Sequence, residues 1–272
     1  MHYLSIKENT WNTAKLLSED EIIKDFILVG GTALALHIEQ RLSEDIDLFT
    51  EKKYIDNDKI RNIVKKIFKD YSILEEDEGY IEFFTNNTKL TFYSFGMPLK
   101  YEPLLNNLNI ATMNECIAMK AHTITSRDLY KDHYDMYSIM AEGVDLPEIV
   151  GLTEEKYKTA FNTKLFLSKL LMEVPEDTLE KPKYKITSKG IKEFMEDKIE
   201  SFICGLEKSR ELQKYNEIYQ KDGLDAALKQ IKDDKRDMNW IMFHKDKLFP
   251  DKTRTEVEKA VKELDRDRGM ER

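Results

Sequence analysis

The order of apolar and polar residues near the start of the chain predicts a strand, a tight turn, a helix and a second strand. Residues 26–29 are an apolar run that stops at Gly30 and Gly31, which is typical of a buried strand entering a turn. Residues 32–40 are rich in helix formers and carry apolar side chains at helical spacing. A second short strand fits residues 45–49. We therefore expect two neighbouring strands joined by one short helix.

The second strand is predicted to place two acidic side chains on one face. Residues two apart in a strand share a face, so Asp45 and Asp47 would point one way while Ile46 and Leu48 pack into a core. Oxygen ligands of this kind suit Mg²⁺, which is commonly shared with substrate phosphates. An acidic pair on the wet face of an edge strand is the plain alternative. The preceding glycine turn favours a metal site, because the N–H groups and dipole of the helix that it opens can receive a phosphate.

The rest of the first half predicts further helices and three more strands. Apolar stripes at helical spacing indicate helices over residues 3–24 and 56–69. Short β-like runs follow at residues 71–74, 80–84 and 89–95, and the polar sequences EEDEG and TNNT between them are typical of hairpin turns. Glycine and proline residues then end the pattern. Together these elements indicate a mixed sheet flanked by helices.

From Thr112 onward the chain is predicted to be helical. Thr112 with Glu115 three residues later resembles a capping box. The second of the next two helices carries charged residues one turn apart, among them Lys131, Asp132 and Asp135, and such a strip is by default a salt-bridged solvent face. Further helices are predicted over residues 154–172, 191–207 and 212–264, with a polar connector over residues 175–188.

Length and charge point to two domains. A chain of 272 residues can bury one large core or two modest ones, and two is the better expectation. We predict an α+β fold, with a mixed-sheet domain over residues 1–145 and an α-helical domain over residues 146–272. Residues 1–150 hold 16 basic and 26 acidic residues, a net charge of −10, whereas residues 151–272 hold 27 and 26, a net charge of +1. Contacts with a polyanion such as RNA are therefore expected mainly from the second half.

The composition argues against several classes of protein. No apolar run approaches the ~20 residues of a membrane span, and the N-terminus lacks a secretory pattern. Cys116 and Cys204 are isolated, which indicates neither a disulfide framework nor a zinc site. His37, His122 and His133 share no common spacing and are interpreted as structural. The sequence therefore predicts a cytoplasmic protein without a membrane partner.

Four blocks of sequence, VGGTALALH, RLSEDIDLF, MKAHTITSRD and KDHYDMYSI, occur in this order. Together they resemble the AbiEii/AbiGii-type nucleotidyltransferase toxins of prokaryotic toxin-antitoxin and phage-abortive systems, which belong to the DNA polymerase β-like nucleotidyltransferase superfamily. The resemblance covers roughly residues 26–140, and residues 151–272 show no comparable match. It implies that the mixed sheet is a nucleotidyltransferase fold.

The resemblance implies roles for the residues of the first motif, which falls on Gly30, Gly31, Ser43, Asp45 and Asp47. The glycine turn and the serine would hold the triphosphate of a nucleotide. The two acids would be catalytic and would hold Mg²⁺, or Mn²⁺ in its place.

Three further residues complete the implied site. Thr32 is expected to join the nucleotide-binding turn, and Lys120 matches the lysine of the third motif, which would bind phosphate and serve catalysis. The fourth motif, of KDxxDL type, makes Asp135 the expected catalytic aspartate. From the residues alone, the alternative for Lys120 is a helix-surface lysine with no task. Arg41 could help to close the site or could be a solvated arginine before a turn.

One feature of the superfamily is missing. Many relatives place a third carboxylate on a neighbouring strand, as base or further metal ligand, but the expected strand KLTFYSF has none. Glu82 on the preceding strand is the nearest candidate. The base that would deprotonate the acceptor is therefore unassigned.

The function implied by the resemblance is a Mg²⁺-dependent toxin that transfers NMP from an NTP to an RNA, such as the acceptor end of a tRNA. The acceptor hydroxyl would attack the α-phosphorus in line, and two metal ions about 3.5–4 Å apart would clamp the attacking and leaving oxygens. One alternative is transfer to a small-molecule or protein hydroxyl. Another is a non-catalytic nucleotide-binding module, favoured by the missing carboxylate. The helical second half could bind RNA, a cognate antitoxin or another copy of the chain.

Overall fold

The computed structural model describes the backbone of residues 5–270 and the side chains of residues 5–266. A seven-stranded mixed sheet organises the first part of the chain. The strands are β1 (Ile27–Val29), β2 (Ile46–Thr50), β3 (Ser72–Asp77), β4 (Tyr80–Thr85), β5 (Thr88–Ser94), β6 (Tyr101–Leu105) and β7 (Leu108–Ala111). Their order in the sheet is β3-β4-β5-β2-β1-β7-β6, with β1–β7 and β2–β5 parallel and the other pairs antiparallel.

Helices flank the sheet and make up the remainder of the chain. They are α1 (Glu8–Ser18), α2 (Gly30–Ile38), α3 (Asn57–Ile67), α4 (Met113–Ser126), α5 (Tyr130–Ala141), α6 (Leu146–Tyr157), α7 (Thr163–Leu170), α8 (Ser188–Asp222), α9 (Leu224–Asp233), α10 (Met238–Leu248) and α11 (Arg254–Met270). Short 3₁₀ turns occupy Glu21–Asp25 and Lys158–Ala160. Within residues 5–270, none of these helices combines the length and the apolar character needed to cross a membrane. The predicted α+β class is confirmed.

The strand–turn–helix–strand unit predicted near the start of the chain is confirmed. Strand β1 ends at Val29, α2 begins at Gly30, and β2 runs antiparallel to β1 with Val29 opposite Asp47. Ile46 and Leu48 are fully buried in the core beneath the sheet. The alternation of β2 therefore directs Asp47 to the opposite face, and Asp45 lies just ahead of the strand.

The long N-terminal helix predicted over residues 3–24 is wrong. Ile6 forms a parallel bridge with Ser43, so the chain is extended there before α1 begins at Glu8. After α1 the Asp20 side chain accepts a hydrogen bond from the Ile22 backbone N–H and starts the 3₁₀ turn. Residues 3 and 4 of the prediction lie outside the described residues. Periodicity alone missed the break because the apolar spacing continues through it.

The hairpin of β6 and β7 was not predicted, and β3 is longer than predicted. Both β3 and β6 are edge strands. Every residue of β3 is exposed, so the acidic residues of EEDEG enter the strand without losing their hydration. Pro103 is tolerated in β6 because an edge strand need not donate every backbone N–H to a neighbour.

The chain divides into two compact units, residues 1–199 and residues 200–272. The boundary predicted after residue 145 lies inside the first unit, because α6 and α7 pack on α4. Asp145 caps α6 and Pro147 lies in its first turn, where a proline costs no hydrogen bond. The second unit has its own core, which includes the fully buried Leu228 and Phe249.

Candidate active site

A cavity of about 490 Å³ opens beside the start of β2, with acidic and basic side chains in the same wall. It is bounded by the first turn of α2, the loop before β2, and α4. Among the residues predicted for the site, those that line it are Gly30, Gly31, Ser43, Asp45, Asp47 and Lys120. The fold therefore brings Lys120 of α4 to the residues of the first motif.

The two glycines allow the start of α2 to approach charged side chains closely. Gly30 has a φ of +71°, which favours glycine, and a Cβ atom there would lie 2.3 Å from Asp47 Oδ2. A Cβ atom at Gly31 would lie 2.7 Å from Arg41 Nη2. Glycine at both positions therefore lets the first turn of α2 lie directly against a carboxylate and a guanidinium group.

Thr32 and Ser43 fix the loop between α2 and β2. The two hydroxyl oxygens are 2.8 Å apart, and the Thr32 hydroxyl also donates to the Asp45 carbonyl oxygen. The backbone N–H of Ser43 donates to the Ser5 carbonyl oxygen at 2.9 Å. Ser43 lines the cavity, whereas the cavity lining does not include Thr32, which is 3% exposed. The structure thus gives Thr32 a positioning role behind the predicted phosphate contacts.

Asp45 and Asp47 repel each other at the cavity wall. Burial and the nearby charge of Asp45 raise the pKa of Asp47 above its usual range. The charges of Lys89 and Lys120 act in the opposite direction without cancelling this effect. The nearby protein cations therefore do not fully offset the negative charge of Asp45 and Asp47.

A buried ion network lies beside the carboxylate pair. Lys120 Nζ is 2.9 Å from both Asp132 Oδ1 and Asp135 Oδ2. Arg41 donates from Nε and Nη2 to the two oxygens of Asp135, at 2.9 and 3.0 Å, and Arg127 donates to both oxygens of Asp132, at 2.7 and 3.1 Å. Three cations from three parts of the chain are thus held by two carboxylates of α5.

The network keeps its aspartates ionised. Burial alone would raise the pKa of Asp132, but Lys120 and Arg127 lower it to about 2. Burial acts on Asp135 in the same way, and Arg41 and Lys120 lower its pKa below the usual range. The cations are correspondingly fixed in the charged form.

The interpretation of the charged strip of α5 as a solvent face is wrong for Asp132 and Asp135, since both side chains are fully buried. The oxygens of Asp135 accept hydrogen bonds from Arg41 and Gln40 in addition to the Lys120 ion pair. The geometry therefore gives Asp135 the task of orienting Arg41 and Lys120, and a direct catalytic role for Asp135 stays a prediction.

Comparison with known proteins identifies the family. The family model for the AbiEii nucleotidyl transferase toxin of type IV toxin-antitoxin systems matches residues 14–106, which contain the glycine turn and the Asp45–Asp47 pair. An uncharacterized protein of Aquifex aeolicus (strain VF5) is 33% identical over 142 residues, which are 50% of this chain and 68% of the relative. The chain belongs to the AbiEii nucleotidyltransferase toxin family. The predicted family and enzyme class, a nucleotidyltransferase, are confirmed.

Solved structures similar to this AbiEii-family chain share little sequence with it. JHP933 from Helicobacter pylori is 17% identical, covering 73% of this chain and 98% of its own, with a TM-score of 0.38. MenT4, a nucleotidyltransferase toxin from Mycobacterium tuberculosis H37Rv, is 15% identical, covering 62% of this chain and 75% of its own, with a TM-score of 0.37.

Three cations of this AbiEii-family site were missed or undervalued from sequence. Arg41 is 11% exposed in its side chain and belongs to the buried network, so it is not a solvated arginine. Arg127 and Lys89 also line the cavity. Arg127 follows α4 directly and Lys89 lies on β5, so only the fold brings them beside Asp47. The sequence signal was weak because no motif gives either residue a role.

Glu82, which the sequence suggested as a third carboxylate of the site, contacts Tyr80, Thr91 and Lys89 instead. Its Oε2 accepts a hydrogen bond from the Tyr80 hydroxyl at 2.8 Å and one from the Thr91 hydroxyl at 3.4 Å, and it lies 3.1 Å from Lys89 Nζ. Glu82 is 9% exposed and is not one of the residues that line the cavity. The AbiEii-family site therefore has two cavity-lining aspartates, Asp45 and Asp47. A third acid, Glu82, lies outside the cavity lining and pairs with the cavity-lining Lys89.

The residues present fit one divalent cation. Asp45 and Asp47 line the same wall, and their mutual repulsion is relieved by a cation placed between them. Carboxylate oxygens suit Mg²⁺, which usually takes only one or two protein carboxylates and completes its shell with phosphate and water. Among the described residues, no group of three or more acids, histidines or cysteines is arranged to hold a metal.

Proposed function

We propose that this enzyme transfers NMP from an NTP to a hydroxyl group of an RNA, with the acceptor end of a tRNA as the favoured substrate, and that it uses Mg²⁺. The observation that supports this proposal is a single cavity lined by Asp45, Asp47, Lys120 and the first turn of α2. Acids for a metal, cations for a triphosphate and free backbone N–H groups are the parts that nucleotidyl transfer needs.

The position of each group in the cavity indicates its role. Backbone N–H groups of Gly30 and Gly31 and the Ser43 hydroxyl are placed to bind phosphate oxygens. Arg41 and Lys120, held by Asp135, supply fixed positive charge for the triphosphate. When bound, Mg²⁺ would neutralise phosphate charge and help to align the α-phosphate.

In the reaction the acceptor oxygen forms a bond to the α-phosphorus while the bond to the bridging oxygen of the pyrophosphate breaks. The hydroxyl proton is released to solvent as the new bond forms. Asp45 and Asp47 would hold the metal, and the cations of the network would stabilise the negative charge of the departing pyrophosphate. Catalysis therefore depends on positioning and on charge stabilisation.

The test compares transfer by the wild type with transfer by Asp45→Asn and Asp47→Asn variants. Purified protein is incubated with Mg²⁺, labelled NTPs and total RNA. Label should enter an RNA band with the wild type and with the control Asp58→Asn, whose side chain is 82% exposed on α3. Both site variants should lose transfer while unfolding at or above the wild-type temperature. A site variant that transfers label normally contradicts the proposal.

Lys120 is proposed to contact the triphosphate. Because the Lys120 side chain is only 8% exposed and pairs with two aspartates, Lys120→Ala carries a folding risk. Lys131→Ala, a change at another cavity-lining lysine, gives a second test with less structural cost. Both variants should weaken NTP binding in a calorimetric titration, and the exposed control Lys59→Ala should not. Unchanged affinity in both site variants refutes the phosphate role.

A second acceptor class is favoured by the acidic part of the cavity wall. Glu44, Asp177 and Glu180 also line the cavity. Because Lys7 pairs with Glu44 and Glu180, repulsion of RNA phosphates comes mainly from Asp177. A small-molecule or protein hydroxyl is the acceptor that fits such a wall. The same incubation with total protein, or with a small-molecule extract, separates the two acceptors by which fraction takes up the label. NTP binding without release of pyrophosphate would instead indicate a non-catalytic nucleotide-binding module.

We further propose that the protein acts in the cytoplasm as the toxin of a toxin-antitoxin pair, as the type IV description of its family suggests. Expression should arrest growth, and the Asp47→Asn variant should not. Co-expression of a small DNA-binding protein encoded immediately upstream should restore growth. Equal toxicity of the wild type and Asp47→Asn would contradict a toxic nucleotidyl transfer.

A further inference from the structure

Strand β5 presents a lysine to the carboxylate pair from the neighbouring strand. Thr91 lies opposite Asp47 in the parallel β2–β5 pair. Lys89, two residues earlier, lies on the same face of the sheet because side chains alternate along a strand. Lys89 lines the cavity together with Asp45 and Asp47. A cation therefore stands on the strand where a third metal-binding acid would be expected.

Glu82 holds Lys89 in this place. The Lys89 ammonium nitrogen lies 3.1 Å from Glu82 Oε2, and the Glu82 side chain is 12% exposed whereas that of Lys89 is 41% exposed. The hydroxyl groups of Tyr80 and Thr91 donate to the same Glu82 oxygen. Because these two hydroxyl groups hold Glu82 in place, it anchors the ammonium at the edge of the cavity.

The charge of Lys89 is permanent under ordinary conditions. Burial alone would lower the pKa of Lys89, but the hydrogen bond to Glu82 and the charge of Glu82 raise it. A lysine with a raised pKa cannot serve as the base. It acts as a fixed positive charge beside the two aspartates.

The cations of the cavity fall into two groups. In the first group, Lys120 and Arg127 come from α4 and the residue that follows it, Arg41 from the loop after α2, and Lys131 from α5. Lys89 comes from the sheet and approaches Asp45 and Asp47 independently of those residues. If the triphosphate of the NTP binds the cations of the first group, Lys89 is available to contact the second substrate, which is the acceptor.

On the basis of the proposed nucleotidyl transfer, we propose that Lys89, anchored by Glu82, takes the place of a second metal ion, so that the site binds one divalent cation and Lys89 contacts the acceptor oxygen. The two carboxylates are sufficient for one ion, and the positive charge of the ammonium opposes a second ion nearby. This differs from the two-ion arrangement expected from the sequence.

The test counts bound Mn²⁺ by electron paramagnetic resonance in the presence of a saturating α,β-methylene nucleotide. The wild type should bind one Mn²⁺ per chain. Lys89→Glu, which replaces the cation by an acid at a partly exposed position, should bind two. Lys89→Met keeps the bulk of the side chain and removes its charge, and Lys59→Met, at an exposed position of α3, is the matched control.

Lys89→Met should move two readouts in opposite directions. Mn²⁺ should bind about threefold to tenfold more tightly, since a nearby positive charge is gone, whereas kcat should fall by at least about tenfold. Glu82→Gln should lower kcat by a smaller factor, because Lys89 keeps its charge but loses the carboxylate that anchors it. A merely structural lysine would not produce tighter metal binding together with slower transfer.

Two results would overturn the inference while leaving nucleotidyl transfer intact. One is two Mn²⁺ ions bound per chain in an active wild type. The other is unchanged Mn²⁺ affinity and kcat in Lys89→Met. Failure of the wild type to bind the nucleotide or to transfer label would instead contradict the proposed function, on which the role of Lys89 depends.

Discussion

Replacement of Asp135 by asparagine tests whether the buried ion network is a structural unit. Asp135 is fully buried and accepts two hydrogen bonds from Arg41 and one from Gln40, besides its ion pair with Lys120. In the Asp135→Asn variant Arg41 loses its only carboxylate partner in the network, and Lys120 keeps Asp132 alone. Lys120 and the half-exposed Arg127 would then share Asp132, and the buried Arg41 would lose the carboxylate that holds it.

The magnitude follows from the burial of these groups. Breaking a buried ion pair by removal of one partner typically costs about 3–5 kcal/mol, because the remaining charge is left uncompensated. We expect a loss in this range for Asp135→Asn, which is a large part of the ~5–15 kcal/mol that stabilises a typical protein. Asp58→Asn, at an exposed position, should change stability by less than about 0.5 kcal/mol.

The assay is urea unfolding followed by tryptophan fluorescence. The chain has two tryptophans, Trp11 in the first unit and Trp240 in the second. In a Trp240→Phe background the signal reports the unit that contains Asp135. A loss below about 1 kcal/mol for Asp135→Asn would refute the closed network, because a solvated carboxylate could be removed at that cost.

Asp47→Asn, in the same site, should change stability in the direction opposite to Asp135→Asn. Burial and Asp45 raise the pKa of Asp47, so its ionised form is disfavoured in the folded protein. Removal of that charge should therefore increase the free energy of unfolding at neutral pH, although transfer is lost. A destabilised Asp47→Asn variant would contradict the electrostatics described for the carboxylate pair.

Three further predictions test individual contacts. Gly31→Ala should raise the KM for NTP about tenfold, since its Cβ would displace the Arg41 guanidinium, and steady-state kinetics checks this. Because the pKa of Asp132 is lowered from 3.8 to about 2, about 2 kcal/mol of stability should be lost as pH falls from about 4 to about 2. Urea unfolding at several pH values should show a loss larger by this amount in the wild type than in Asp132→Asn, in which Asp135 still contributes. Thr32→Val should cost about 1 kcal/mol and lower kcat, because the hydrogen bond to Ser43 is gone.

The part of the site that the sequence predicts is the part encoded locally. Gly30 and Gly31 follow an apolar run directly, and strand alternation is enough to place Asp45 and Asp47 on one side. These features depend on residues within one short segment. The structure therefore agrees with the prediction there to within one residue of the start of β2.

The features that the sequence did not predict depend on contacts between distant segments. Asp132 and Asp135 form a polar helix face by periodicity, and only the packing of α5 beside Arg41 and Lys120 buries them. Lys89 approaches Asp47 because β5 pairs with β2, a parallel pairing that no local signal specifies. The same reason explains the missed edge strands, whose exposed residues carry little apolar pattern.

The central claim, nucleotidyl transfer from this cavity, is tested most directly by comparing two labels on the same NTP. Wild-type protein is incubated with total RNA, Mg²⁺ and NTP labelled at either the α- or the γ-phosphate, with Asp47→Asn in parallel. Label from the α-phosphate should enter RNA, label from the γ-phosphate should appear in pyrophosphate, and Asp47→Asn should give neither. Incorporation of the γ-label into RNA, or equal incorporation by Asp47→Asn, would contradict the account.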